Sequence, residues 1–271
     1  MAEVEWAKLK AHELRRLAEQ DAVVIVPVAA MEQHGPHLPV HVDTRLAGEV
    51  SRRGAVKATE DCPTVVLPVI WHGLSEHHMP FGGTITLDLA TFQQVFRCVV
   101  GSVVRQGFKR ILILNGHGGN IAASQLVAQE LALEFDVTVV AATYWNLAET
   151  AFADILEVQQ TVLHAGEAET SMMLALEPEG VDTSALEDAR GPMQVGQSRI
   201  GEMHAFRWQS FSARTHNGVF GDPSAASAEK GELLFDAAAS ALAELITSAE
   251  TWADGADMRP DVLAGVAVRR G

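Results

Sequence analysis

The sequence has few cysteines and few basic residues, and each shortage excludes a class of protein. Cys62 and Cys98, its two cysteines, form no CxxC pair and are too few for a disulfide framework. Lysine and arginine number 20 against 35 aspartates and glutamates, which gives a net charge of −15. Because nucleic-acid surfaces need clustered basic residues, we expect no nucleic-acid partner. We attribute the acidity to a solvated exterior.

Long apolar runs are also missing, because none reaches the roughly eighteen residues of a membrane-spanning helix. The N-terminal stretch MAEVEWAKLKAHELRR is charged and amphipathic, and it lacks the apolar centre of a signal peptide. We therefore predict a cytoplasmic protein without a membrane partner. With 271 residues, 48% of them hydrophobic, the chain can bury a full core.

Short β-branched segments alternate along the chain with longer segments of helical periodicity. This order predicts an α/β three-layer sandwich with a mainly parallel central sheet and helices on both faces. Residues 1–271 are predicted to form one domain, with an irregular excursion at about 181–217. The last helix is predicted to begin at Asp222, as an N-cap followed by proline. The predicted strands are 21–28, 63–70, 109–115 and 136–143, and the other clear helices are 44–56, 89–107 and 121–135.

Histidines are concentrated behind three of the predicted strands. MEQHGPH follows the first strand, WHGLSEHHMP the second and NGHGGN the third. Ligands of parallel sheets bind beyond the carboxyl ends of the strands, and seven of the eleven histidines fall there. An ordinary polar loop does not explain this concentration. The seven are His34, His37, His41, His72, His77, His78 and His117.

The segment after the first strand carries residues suited to a metal ion. Glu32 and His34 are two residues apart, so extended backbone would direct both side chains to one face. Asp43 is predicted to be the N-cap of the next helix, with its carboxylate held by backbone amides. Carboxylate and imidazole ligands suit Zn²⁺ or Mn²⁺, and a bridging carboxylate permits two ions. The alternative is that Glu32 and His34 bind only loop backbone.

The glycine-rich NGHGGN segment allows two interpretations. It lies where a phosphate-binding turn would lie, but it matches neither GxGxxG nor GxxxxGK[ST]. Its glycines would instead let the backbone approach a ligand carried by His117. A phosphate- or nucleotide-binding protein therefore remains an alternative, as does a metal-binding protein without turnover. In HAGEAETS, Glu167 and Glu169 are predicted in the first turn of a helix that starts near Gly166, where simple capping also explains them.

Five blocks of the sequence together resemble the creatininase family of metal-dependent amidohydrolases. They are EQHGPHLP, GLSEHHMPFGGT, NGHGGN, HAGEAETS and GVFGDP. They follow the order and approximate spacing of that family over nearly the whole chain. The resemblance implies a creatininase-like fold and a homo-oligomer, with hexamers as the family's known form. It also implies two divalent metal ions per chain, Zn²⁺ or Mn²⁺, with Fe²⁺ as a further candidate.

The resemblance assigns ligands to these ions. One ion would be held by Glu32, Asp43 and His117, and the other by His34 with Asp43 bridging. Creatininase proper has a further glutamate ligand where this chain has glycine at position 119. We predict that Glu167 replaces it.

His164 and Glu169 match the family's catalytic pair that does not bind metal. With water activated by the two ions, His164 would stabilise the oxyanion that develops on the substrate. Glu169 would carry a proton to the leaving nitrogen. The expected reaction is hydrolysis of a C–N bond in a small amide, formamide or cyclic amide. A peptide-trimming metallopeptidase of the same family is the alternative.

The chain departs from the family where creatinine is recognised. Gly118 and Gln160 stand where creatinine-cleaving relatives have aromatic residues, so we do not expect creatinine as the substrate. His77, Gly118 and Trp145 are predicted to contact the substrate. Further candidates near the pocket, for which packing is the alternative, are Trp71, His72, His78 and His204.

Overall fold

The computed structural model describes residues 3–193, 206–255 and 258. The described residues contain four strands, one at each predicted position, and β2 is the one most shortened. Because Ile70 still bridges to Val28 beyond the end of β2, the second segment continues along the sheet without regular pairing. The strands are β1 (Val23–Val28), β2 (Thr64–Val66), β3 (Arg110–Asn115) and β4 (Thr138–Thr143).

The strands form one parallel sheet in the order β2-β1-β3-β4. The chain passes from β1 to one neighbour and then returns to pair β3 on the other side of β1. Ligands of open α/β sheets bind where the strand order reverses in this way. Val28 is paired with Asn115, so the segments that follow β1 and β3 leave the sheet side by side.

Helices connect the strands and cover both faces of the sheet. The helix predicted at 121–135 has these bounds in the structure, and the predicted helices 44–56 and 89–107 differ by two or three residues at their ends. The α-helices are α1 (Ala11–Glu19), α2 (Val42–Ala58), α3 (Leu89–Val104), α4 (Ile121–Phe135), α5 (Tyr144–Leu147), α6 (Glu149–Ile155), α7 (Glu167–Leu176), α8 (Ala228–Thr247) and α9 (Ala249–Trp252). Short 3₁₀ turns lie at Trp6–Lys8, Glu76–Phe81, Gly118–Asn120, Pro178–Gly180, Thr183–Ala185, Phe211–Ala213 and Pro223–Ala225.

The sheet separates two hydrophobic clusters, because successive side chains of a strand point to opposite faces. Ile111 and Ile113 of β3 pack with buried residues of α1, α3 and α4. Leu112 and Leu114 pack with buried residues of α2, α7 and α8. The three layers confirm the predicted α/β sandwich with a parallel central sheet.

The start of the last long helix differs from the prediction. Asp222 caps only the turn Pro223–Ala225, where its carboxylate accepts the N–H of Ser224 at 2.8 Å. Ala226 then takes an extended backbone, which interrupts the helical path. α8 begins after Ser227, whose hydroxyl accepts the N–H of Lys230 at 3.2 Å.

The predicted excursion at 181–217 is irregular where it is described. Regular structure in that part is limited to the turns Thr183–Ala185 and Phe211–Ala213. Residues 194–205, and with them the pocket candidate His204, lie outside the described residues. The division into a single domain stays a prediction. No helix of the described residues is long and apolar enough to cross a bilayer.

A candidate metal centre at the carboxyl edge of the sheet

Four of the five predicted ligands meet at one point beyond β1 and β3. His117, which follows β3, places Nδ1 3.2 Å from Glu32 Oε1 and 3.1 Å from Asp43 Oδ2. His34 places Nε2 3.1 Å from Asp43 Oδ1 on the other side of the same carboxylate. All four side chains are buried. The parallel register of β1 and β3 thus produces the convergence that the sequence predicted.

Asp43 lies between the two histidines and does not cap α2. The N-cap of α2 is His41, and the Asp43 side chain makes no capping hydrogen bond, which corrects the predicted role. Burial by itself would raise the pKa of Asp43, but His34 and His117 outweigh it and hold this pKa well below its ordinary value. The carboxylate is therefore ionised and shared by two imidazoles.

Glu169 completes the cluster in place of Glu167. Its Oε2 lies 3.6 Å from His34 Nε2 and accepts the backbone N–H of Ala165 at 2.6 Å. Ala165 has a φ of 58°, a left-handed conformation that is costly for a residue with a side chain. Burial raises the pKa of Glu169 to about 7, although His34 opposes this shift.

The predicted ligand Glu167 points elsewhere. Its fully buried carboxylate accepts the backbone N–H groups of Glu157, at 2.9 Å, and Val158, also at 2.9 Å. Lys230 adds an ion pair of 2.7 Å from Nζ to Oε1. Residues two apart on a helix point to nearly opposite sides, so Glu167 and Glu169 cannot both face the cluster. The structure does not bring Glu167 to the candidate metal centre.

The cluster has the properties of a cation site. Among the described residues, Glu32 Oε2, His34 Nε2 and Asp43 Oδ2 are buried and have no hydrogen-bond partner. Such atoms are costly unless something satisfies them. Burial lowers the pKa of His34, but Asp43 and Glu169 reverse the shift and raise it to about 9. Carboxylates and imidazoles this close together fit divalent cations such as Zn²⁺ or Mn²⁺.

Gln33 is a site residue that the sequence analysis missed. Its amide nitrogen donates to Gly218 O and to His78 Nδ1, both at 2.9 Å. Because His78 Nδ1 accepts this hydrogen bond, its Nε2 carries the proton and faces Glu32 Oε1 at 3.2 Å as a donor. The carbonyl of Gln33 accepts from His164 Nε2 at 2.9 Å. Gln33 thus orients two imidazoles, and its place between Glu32 and His34 was the available signal.

A cavity of about 1060 Å³ opens from the cluster. It is lined by the three residues predicted to contact the substrate, His77, Gly118 and Trp145, and by the predicted catalytic pair. Burial, aided by His117, lowers the pKa of His77 to about 3, so its ring is neutral. Of the other pocket candidates, His78 lines the cavity. Trp71 and His72 do not line it and instead stack on each other, with ring centroids 4.6 Å apart.

Two more histidines from the predicted edge serve other contacts. His37 Nε2 lies 2.9 Å from Thr170 Oγ1, and burial, together with the nearby His34, lowers the pKa of His37 to about 4. His41 Nε2 lies 2.8 Å from Glu177 Oε2 at the partly exposed start of α2. Neither belongs to the groups of side chains that could share a cation among the residues that the structure describes.

Known proteins resemble this chain over most of its length. A family model described as creatininase, creatinine amidohydrolase, matches residues 7–246. Mycofactocin precursor peptide peptidase of Mycolicibacterium smegmatis is 32% identical over 224 residues, which are 82% of this chain and 83% of that protein. Creatinine amidohydrolase of Pseudomonas putida is 28% identical over 266 residues, 91% of this chain and 95% of that protein. A crystal structure of creatininase is similar with a TM-score of 0.72 and 28% identity, and the match covers 91% of this chain and 97% of that one.

A buried cluster of carboxylates and imidazoles at the carboxyl edge of a parallel sheet is typical of a metal-dependent hydrolase. The chain belongs to the creatininase family. The predicted family, and with it an enzyme of the amidohydrolase type, are confirmed. Other solved creatininases are described as a zinc–zinc form and a manganese form.

Proposed function

We propose that this enzyme hydrolyses a C–N bond of an amide with the help of two divalent cations. The observation that carries the proposal is the convergence of buried oxygen and nitrogen atoms without hydrogen-bond partners on a large cavity. A purely structural cluster would leave these atoms unsatisfied at considerable cost. The relatives named as a peptidase and an amidohydrolase support the same reaction class.

We infer two sets of ligands that share Asp43, an assignment that the distances support. Glu32, Asp43 and His117 form the first set, as the family resemblance implies. His34, Asp43 and Glu169 form the second. Glu169 thereby supplies the carboxylate that glycine at position 119 cannot. This assignment keeps the predicted pair of ions and moves Glu169 from proton carrier to ligand.

Bound cations would polarise the scissile carbonyl and lower the pKa of a water molecule. The chain itself provides the proton path. His164 donates from Nε2 to the Gln33 carbonyl, so Nδ1 faces the cluster, 3.6 Å from Glu32 Oε1. Burial and the nearby His34 keep the pKa of His164 well below its ordinary value, so Nδ1 is free of a proton at rest. With Glu169 acting as a ligand, His164 Nδ1 would accept the proton that the attacking water releases and pass it to the leaving nitrogen, in place of the oxyanion-stabilising role expected from the family.

The substrate is either a small amide or the end of a short peptide. The cavity is slightly larger than the usual range of ligand pockets, about 300–1,000 Å³. Gly118 borders open space, since an added Cβ there would meet no atom within 4 Å, which suits a substrate larger than creatinine. The cytoplasmic location and the homo-oligomer remain predictions of the sequence and of the family.

The phosphate-binding alternative is disfavoured by charge. The NGHGGN loop places His117 against Glu32 and Asp43, and Glu169 lies beside the same cluster. Three carboxylates at the loop would repel a phosphate group. The glycines here serve close packing, since a Cβ at residue 119 would lie 2.4 Å from His117 Nε2.

The test is metal-dependent turnover. The purified protein is stripped with a chelator, reloaded with Mn²⁺ or Zn²⁺, and assayed with formamides, lactams and short peptides for release of formate, ammonia or amine. We expect turnover to be absent after stripping and to return with metal. Lack of turnover with every metal, together with saturable nucleotide binding by the stripped protein, would overturn the proposal.

A further inference from the structure

His77 and His78 are neighbours in the chain, but their ring nitrogens have different surroundings. His78 Nδ1 accepts a hydrogen bond from Gln33, and its Nε2 faces Glu32 Oε1 at 3.2 Å. Among the described residues, the ring nitrogens of the half-buried His77 have no hydrogen-bond partner. Ser210 donates only to the backbone carbonyl of His77, at 3.4 Å. The His77 imidazole therefore has a nitrogen available for another ligand.

The His77 ring lies beside the first set of proposed ligands. One donor atom each of His77, Glu32 and His117 lies within 4.8 Å of the other two. The rings of His77 and His117 are stacked, with centroids 5.6 Å apart and planes inclined by 16°. A cation held between Glu32 and His117 is therefore within reach of His77.

The segment that carries His77 also orients His117. The Leu74 carbonyl lies 3.3 Å from His117 Nε2, so this nitrogen carries the proton and Nδ1 is free to face Glu32. The backbone N–H of Leu74 donates to Asn120 Oδ1 at 2.9 Å, which joins the segment to the NGHGGN loop. Supporting contacts of this kind are typical of histidines that bind metal.

The glycine at position 119 makes the approach of His77 possible. A Cβ at this position would lie 2.4 Å from His117 Nε2 and 2.9 Å from His77 Cε1. Both distances are shorter than a van der Waals contact, so a larger residue at position 119 would displace the imidazoles. The position at which creatininase proper has a glutamate ligand thus provides the space that the His77 ring needs.

We propose that His77 is a fourth protein ligand of the first cation, together with Glu32, Asp43 and His117. The inference rests on the proposed pair of cations and replaces the substrate contact predicted for His77. Zinc ions with four protein ligands are typically structural, whereas three protein ligands leave a position for water. The first cation would therefore be held more tightly, and the second, with three protein ligands, would keep the open position.

The test measures cation affinity without any substrate. The protein is stripped and titrated with Zn²⁺ in competition with a coloured chelator, and we expect two equivalents with different dissociation constants. His77→Phe keeps an aromatic ring but no nitrogen, and it should raise the smaller constant by about 100-fold or more and the larger by less than about tenfold. His77→Glu, which offers an oxygen donor, should recover part of the loss. His72→Ala removes an imidazole that does not line the cavity, and it should change neither constant.

Cobalt-loaded protein gives a second measurement. The visible absorption of bound Co²⁺ depends on the number and geometry of its ligands, so His77→Phe should change the spectrum at saturating Co²⁺. Unchanged Zn²⁺ constants and an unchanged spectrum in His77→Phe would overturn the ligand role and leave the proposed function intact. A wild-type protein that binds no cation would overturn both. Circular dichroism and urea denaturation of the stripped variants show that a loss of affinity is not a loss of folding.

Discussion

Glu167 and Glu169 are both buried carboxylates in the first turn of α7, but different groups neutralise them. Glu167 receives two backbone N–H groups and the Lys230 ammonium. Glu169 faces His34 and the Asp43 carboxylate, and one backbone N–H from Ala165 is the hydrogen bond that it accepts in the described structure. Glu167, whose carboxylate has protein hydrogen-bond donors and a counter-charge, holds the fold together. Glu169, which lies among other carboxylates and imidazoles, is available to a cation.

The Glu167 contacts connect three parts of the molecule. Lys230, near the start of α8, also reaches Ala225 O at 2.6 Å and Glu157 Oε1 at 2.7 Å. The N–H of Glu167 donates to Gln159 Oε1 at 3.0 Å. The loop between α6 and α7, which supplies a wall of the cavity, is thereby tied to both α7 and α8. Within the same helix turn, Glu167 supports the fold and Glu169 is available for cation binding.

The largest effect is expected from Asp43→Asn, because both proposed ligand sets share this residue. The variant should lose both cations and more than about a hundredfold of activity, since even groups that only support metal ligands contribute about 10–100-fold. Metal analysis of the purified protein and formate release measure the two effects. Asp61→Asn, at an exposed position beyond α2, is the control. Two retained cations in Asp43→Asn would remove Asp43 from the centre.

Glu169→Gln tests the glutamate of the pair that faces the metal centre. Only the second ligand set contains Glu169, so the cation content should fall from two equivalents toward one, with activity reduced about 10–100-fold. The first set, which includes His117, remains. Metal analysis after dialysis against a weak chelator gives the stoichiometry. A variant with two tightly held cations would return Glu169 to the proton-carrying role expected from the sequence.

Glu167→Gln tests the supporting side of the same turn. The amide can still accept a backbone N–H, but it leaves the largely buried Lys230 ammonium without its inner counter-charge. We expect the free energy of unfolding to fall by about 2–3 kcal/mol, with two cations retained. Urea denaturation and metal analysis on the same sample decide the outcome. A cation content of one with unchanged stability would contradict the supporting role and restore Glu167 as a ligand.

The sequence predicted the positions that depend on strand order and missed those that depend on side-chain direction. Glu32 and His117 were placed together because the carboxyl ends of parallel strands meet at one edge. The predicted bounds of α4, 121–135, agree with the structure. Glu167 was predicted as the replacement ligand because the family resemblance had already assigned Glu169 to the catalytic pair, and spacing alone does not reveal which side of a helix faces the site.

The cavity beyond the centre could not be predicted for a related reason. Phe211 and Arg214 lie in an irregular segment, where no period links sequence position to direction. Phe211 reaches the histidines only through tertiary packing, with its ring 4.2 Å from that of His78. Gln33 was overlooked because an amide carries no charge, although it orients two imidazoles. Patterns in the sequence identify charged ligands more readily than the residues that hold them.

Glu157→Gln should have the smallest effect, and it compares an exposed with a buried carboxylate that bind the same ammonium group. Glu157 and Glu167 both lie 2.7 Å from Lys230 Nζ, but their side chains are 69% and 0% exposed. The exposed pair is screened by water, so its loss should change the free energy of unfolding by less than about 0.5 kcal/mol. The Glu157 backbone N–H that binds Glu167 is unaffected by the substitution. If urea denaturation showed equal losses for Glu157→Gln and Glu167→Gln, burial would not be what distinguishes the two carboxylates, and the supporting role would belong to Lys230 alone.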